Sequence, residues 1–126
     1  MIKNNVKTKW KNKEVVLNSF LSIPNTFTAE IMSEQGYDAL TIDYQHGMIS
    51  FSDLFTMLQS IRSSGVTPIC RVSGLDHAVI SKVMDAGALG IICPMINNKK
   101  QAEQLVQDCK YPVSYTHLRA HETEAY

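Results

Sequence analysis

His46 and Arg71 are the side chains of this sequence whose type and spacing best suit them to chemistry. The histidine comes in the run Ile42-Asp43-Tyr44-Gln45-His46-Gly47, where an apolar segment (Ala39, Leu40, Ile42) gives way to an acid, an amide, an imidazole and a glycine. The arginine comes near the end of a second apolar run, Thr67-Pro68-Ile69-Cys70-Arg71-Val72. In α/β proteins the carboxyl ends of strands are where ligands bind and reactions occur. An imidazole can take and return a proton near neutral pH. A guanidinium is costly among apolar residues unless it meets an anion, and its fork suits a carboxylate or an enolate oxygen. The pair therefore reads as a base and an anion clamp. The plainer alternatives are a histidine that satisfies backbone groups at a strand end, and an arginine that forms an internal salt bridge with Asp43 or Asp85.

Other residues enter the same reading with less force. Asp43 flanks His46 in a polar cluster on the expected active face. Asp85 falls at the end of a helical pattern, just before Ala86-Gly87, where negative charge is disfavoured by the helix dipole. That misfit points to a specific partner, for which His46 is the candidate. His77 lies in a first helical turn and is expected to face solvent. Pro94-Met95 ends an apolar run and is expected to shape a pocket wall, with Met95 more often a core residue. Gly87 and Gly90 lack phosphate-loop spacing, so a nucleotide site has no support.

These groups need a framework, and the apolar periodicity supplies one. Strands are predicted over residues 15–23, 38–44, 66–72 and 89–95, and helices over 28–35, the segment opened by Ser50, the segment opened by Asp76, and 99–110. Pro24-Asn25-Thr26 breaks the first strand, and Gly36, Gly65 and Gly87 stop helices in the left-handed turn that glycine accepts. Ser50-Phe51-Ser52-Asp53 has the Ser-x-x-Asp capping pattern. Leu54, Leu58 and Ile61, with Phe55 alongside, form a helical stripe suited to packing on a sheet. Val79, Ile80 and Val83 are the buried side of the next helix, and Ala102, Leu105, Val106 and Cys109 that of the last. The segment at 89–95 is nearly all apolar (Ile91, Ile92, Cys93), which predicts a parallel strand covered on both faces. Successive βα units imply a parallel sheet with right-handed crossovers. They fit a small doubly wound sheet or the first half of an eight-stranded barrel, which needs about 250 residues.

At 126 residues the chain holds one domain at most. Its 12 basic and 12 acidic residues leave no basic excess with which to neutralise phosphates, which argues against a nucleic-acid binder. Lys3, Lys7, Lys9, Lys11 and Lys13 are expected to be a solvated leading segment. No apolar run approaches the ~20 residues of a membrane span, and the first residues lack a signal-peptide core. Cys70, Cys93 and Cys109 show no CxxC spacing and read as reduced core residues of a cytoplasmic protein.

Several short motifs occur in register: Phe20-Leu21-Ser22-Ile23-Pro24, Ala29-Glu30-Ile31, Gly36-Tyr37-Asp38, the His46 run, Pro68-Ile69-Cys70-Arg71-Val72, Met84-Asp85-Ala86-Gly87-Ala88 and Gly90-Ile91-Ile92-Cys93-Pro94-Met95. Together they resemble the HpcH/HpaI aldolase/citrate lyase family, the metal-dependent class II pyruvate aldolases. The resemblance implies a (β/α)₈ barrel, a homo-oligomer (often a hexamer), and a divalent ion such as Mg²⁺, Mn²⁺ or Co²⁺ that binds pyruvate. Carried over by position, it implies His46 as catalytic base, Arg71 as the group that binds pyruvate and stabilises its enolate, Asp85 as the acid that raises the histidine's basicity, and Asp43 as an acid lining the site. It implies cleavage of 4-hydroxy-2-oxoacids to pyruvate and an aldehyde. Gln45 stands where some members carry glutamate, and Gly74-Leu75-Asp76-His77 replaces the more usual Trp-Asn-Asp-Pro type of run. Both departures bear on substrate choice.

The family's metal ligands are expected beyond Pro112, so residues 1–112 form a partial barrel domain without an assignable metal ligand, inactive as it stands. Residues 113–126 resemble the translation of a sequencing-library adapter and are set aside as a non-native tail. His117, His121 and Glu122 are excluded from any metal site on that ground. Two rival readings stand beside this one. One is a citrate-lyase-type acyl-CoA lyase on the same barrel. The other is a small doubly wound module that binds a ligand without catalysis.

Overall fold

A computed structural model of the chain describes residues 3–110; residues 113–126, set aside above, lie outside them. The elements run α1 (Asn5–Lys11), β1 (Asn18–Leu21), α2 (Thr26–Ser33), β2 (Ala39–Asp43), α3 (Phe51–Ser63), β3 (Thr67–Arg71), α4 (His77–Ala86), β4 (Gly90–Ile92) and α5 (Lys99–Asp108). The strands form one parallel sheet in the order β1-β2-β3-β4. Consecutive order with right-handed crossovers places every connecting helix on one face of the sheet. A doubly wound sheet instead reverses strand order at a switch point, so the observed topology is that of four consecutive units of a (β/α)₈ barrel.

Local sequence explains the helix boundaries. Ser50 and Asp53 form the predicted capping box: the Ser50 side chain accepts from the Asp53 amide and the Asp53 carboxylate accepts from the Ser50 amide. Asn25, Asp76 and Asn98 cap α2, α4 and α5 through one side-chain acceptor each, without the reciprocal bond. Gly36, Gly65 and Gly87 all have positive φ. The helix-facing side of the sheet is the core, where Leu21, Leu40, Ile42, Cys70 and Val72 meet Ala29, Leu54, Met57, Leu58, Ile61, Ile80 and Val83. Asn18, Phe20, Thr41, Asp43, Thr67, Ile69 and Arg71 alternate with these and line the opposite face.

Several elements differ from what the sequence predicts. The lysine-rich leader is a helix: Val6 is buried, Asn4 and Asn5 donate to the carbonyls of Leu89 and Gly65, and Lys9 pairs with Asp38 at 2.7 Å. Asp38, Gly65 and Leu89 each lie just before a strand, so α1 crosses the amino end of the sheet. β4 is not covered on both faces, since Ile92 is 37% exposed. It is the last strand of the described sheet, so no neighbour shields it. It also stops at Ile92: Pro94 has no amide to offer a ladder, and Met95 turns away with φ of 63°. Met95 is exposed and no core residue. Ala102 and Val106 of α5 are likewise exposed. His77 is largely exposed, as expected, but its Nδ1 lies 3.0 Å from the carboxylate of buried Asp108, which also accepts from Gln104, tying α4 to α5.

Candidate active site

β2 and β3 are adjacent and in register, with Asp43 opposite Arg71 at their carboxyl ends. Both side chains rise from the face away from the helices, and they meet. Arg71 donates from Nε to Asp43 Oδ1 at 3.1 Å and from Nη2 to Asp43 Oδ2 at 2.6 Å, a two-pronged ion pair. The Asp43 side chain is 6% exposed and the Arg71 side chain 28%. Of the two plain partners considered for Arg71, the structure gives Asp43.

Asp43 also holds the loop that carries His46. Its Oδ1 accepts from the backbone amides of Gln45 at 3.1 Å and His46 at 3.0 Å. The chain then folds back so that Gly47 N–H donates to the Asp43 carbonyl at 3.1 Å. A Cβ at Gly47 would stand 2.3 Å from that same oxygen, so only glycine fits there. Tyr44 N–H donates to the Arg71 carbonyl, extending the tie between the two strand ends. The imidazole of His46 is left exposed.

The electrostatics follow from these contacts. Hydrogen bonds from the Arg71 guanidinium pull the Asp43 carboxyl from 3.8 down to about 2 against the opposing effect of burial, with help from the His46 and Gln45 amides. The same hydrogen bond raises Arg71 above its ordinary value. Asp43 is thus a fixed anion and not a proton carrier at neutral pH. Two of the five N–H groups of Arg71 are engaged by Asp43, and its Nη1 makes no hydrogen bond among the described residues. That leaves donors for an incoming carboxylate or enolate oxygen.

Asp85 is not brought to His46. It is exposed in the last turn of α4. A helix that follows β3 runs back along the sheet, so its last turn lies at the end opposite the strand termini that carry His46 and Arg71. Phe20, by contrast, joins the site without having been singled out for it: its ring lies under the Arg71 guanidinium, 5.1 Å from centroid to Cζ. The signal was available in strand alternation, which puts Phe20 on the same face as Asp43 and Arg71. Among the described residues, no group of three or more His, Cys, Asp or Glu side chains is placed to hold a metal ion. Asp43, the nearest candidate, is already committed to Arg71 and two amides. The described residues therefore do not make a metal site by themselves.

Comparison with known proteins decides the lineage. The HpcH/HpaI aldolase/citrate lyase family model matches residues 17–124. The chain belongs to this family. A hydroxypyruvate/pyruvate aldolase of Rhizorhabdus wittichii is 38% identical over 108 residues, covering 86% of this chain and 43% of the relative. A 2-keto-3-deoxy-L-rhamnonate aldolase of Escherichia coli K12 is 31% identical over 112 residues, covering 89% of this chain and 42% of the relative. Among solved structures, the citrate synthase SbnG superposes with a TM-score of 0.83 at 30% identity, covering 95% of this chain and 51% of that one. This HpcH/HpaI chain thus spans less than half the length of the curated relatives it matches.

Proposed function

We propose that the full-length protein is a carbon–carbon lyase that cleaves a 4-hydroxy-2-oxoacid to pyruvate and an aldehyde. The observation that carries this reading is the shared carboxylate: Asp43 fixes the His46 loop and the Arg71 fork at one end of one sheet. In the cleavage, His46 takes the proton of the 4-hydroxyl, the C3–C4 bond breaks, and its electron pair moves onto the 2-oxo group. Arg71 stabilises the negative charge that develops on that oxygen, an electrostatic task best done by a preorganised donor. Return of a proton to C3 completes pyruvate. Asp43 keeps Arg71 charged and aimed, and lines the site. The role implied for Asp85, raising the basicity of His46, is not formed within this chain.

The family resemblance supports a divalent metal and class II chemistry, with ligands outside the described residues; a bound ion would supply Lewis-acid charge. It also supports a homo-oligomer, hexameric in form, and the exposed Phe27, Ile31 and Phe55 of α2 and α3 offer apolar area for burial. Among the described residues no helix is long and apolar enough to cross a membrane, and the free thiols of Cys70, Cys93 and Cys109 suit a cytoplasmic location. With no metal-holding cluster among its described residues, the 126-residue chain is proposed to be inactive alone.

The test is to assay the full-length protein for pyruvate release from 4-hydroxy-2-oxoacids and, in parallel, for cleavage of malyl-CoA and citramalyl-CoA. Pyruvate release that is lost in His46→Ala and Arg71→Ala is the expected result. Cleavage of the thioesters alone would move the protein to the acyl-CoA lyases.

A further inference from the structure

We propose that Phe20 is a positioning residue for Arg71, holding the guanidinium by its flat face so that the uncommitted edge of the fork stays presented to the 2-oxoacid. The use of that edge rests on the lyase reading above, whereas the stacking itself does not.

Phe20 lies on β1 and Arg71 on β3, with β2 between them. The register aligns Phe20 with Thr41, and Thr41 with Ile69, two residues before Arg71. Arg71 must therefore lean across β2 and back toward the amino end for its Cζ to stand 5.1 Å from the Phe20 centroid. A free arginine side chain has many rotamers and considerable rotamer entropy to lose. Asp43 fixes the guanidinium edge-on through two hydrogen bonds. That contact leaves the plane of the group free to tilt about the line joining the two ions. An aromatic ring against one face removes this freedom, because the cation is attracted to the ring's negative face within about 6 Å. The ring also excludes water from that side, which strengthens the remaining donors toward an anion.

Phe20 is itself 46% exposed. Here the ring sits on the face opposite the core, against the one permanent cation of the site. An aliphatic side chain could fill the same volume but offers no π face, which makes the two roles separable.

The experiment compares full-length wild type, Phe20→Leu, Phe20→Trp and Phe20→Tyr. The first readout is the Arg71 Nε–Hε resonance in a proton–nitrogen NMR spectrum, assigned by its loss in Arg71→Lys. The second is the affinity for pyruvate, with KM and kcat for pyruvate release measured separately. Phe20→Leu is expected to shift the Arg71 resonance and speed its solvent exchange, and to weaken pyruvate binding about 3- to 10-fold. Phe20→Trp and Phe20→Tyr are expected to restore both. An unmoved Arg71 resonance in Phe20→Leu would overturn the proposal. So would equal losses in the aliphatic and aromatic variants, which would mark a packing role. Failure of wild type to bind pyruvate at all would defeat the lyase reading, while the resonance still decides the stacking.

Discussion

Replacing Asp43 by asparagine removes one charge and almost no volume, so it isolates what the carboxylate contributes. In the native protein the Asp43 carboxyl titrates at about 2, against 3.8 for the free group, chiefly because Arg71 donates to it. A depressed carboxyl contributes stability that is fully present above 3.8, decays as pH falls, and is gone below about 2. The whole difference corresponds to about 2.5 kcal/mol at neutral pH. Arg71 is still partly open to solvent, which screens the pair and reduces the expected value to about 1–2 kcal/mol. Roughly 1 kcal/mol of the unscreened amount is lost by pH 3, as the unfolded chain takes up its proton. The assay is denaturant unfolding of full-length wild type and Asp43→Asn at pH 7, 4 and 3, at one fixed protein concentration because oligomers gain stability by mass action. Wild type should exceed the variant most at pH 7, and the gap should shrink toward pH 3. A gap that stays constant over this range would refute the ion pair as the source of the stability.

Other consequences can be checked directly. Gly47→Ala should cut pyruvate release at least 10²-fold in the full-length protein, because the Cβ meets the Asp43 carbonyl at 2.3 Å and the His46 loop must move; steady-state rates would show it, and near-normal turnover would contradict it. Burial raises the Cys70 thiol to about 12 from 9.0, so alkylation of native protein at pH 8 should be slower at Cys70 than at a free thiol by on the order of 10³-fold, and mass spectrometry after timed labelling would reveal any faster reaction. The 126-residue chain expressed alone should self-associate, because β1 and β4 are open edges of the described sheet and Phe20 and Ile92 are exposed; a monodisperse, cooperatively melting monomer in light scattering and calorimetry would contradict this.

Much of the fold is legible in the sequence because the local signals are physical. Ser50 and Asp53 satisfy each other's amides whatever surrounds them, and Gly36, Gly65 and Gly87 stand where the chain must take positive φ. Those stops and starts alone order the four parallel βα units. The misses arise where the outcome depends on what is distant in sequence. The α1 lysines hide Val6, whose burial depends on strand ends 60 and 85 residues away from Asn5 and Asn4. Ile92 has the composition of a covered strand, but coverage requires a neighbour that the described sheet does not contain.

The site divides in the same way. Asp43, His46 and Arg71 are readable as a group because polar residues at the ends of apolar runs have few structural uses. Their connection is not readable, since it rests on the in-register pairing of β2 with β3. Asp85 differs for another reason: its dipole misfit points to a partner without saying where the helix ends. The right-handed crossover rule would have put it at the far end of the sheet from His46. Phe20 required the alternation of β1 to be followed onto the same face as Arg71.

Arg71 is proposed to stabilise the enolate of a 2-oxoacid at the carboxyl end of the sheet. Exchange of the pyruvate methyl protons for solvent deuterium, followed by NMR with the full-length protein, tests this most directly, since it requires enolate formation and no aldehyde partner. Exchange is expected in wild type and should fall by orders of magnitude in Arg71→Ala, which removes the donor that stabilises the enolate. Exchange that persists at the wild-type rate in Arg71→Ala would contradict that role.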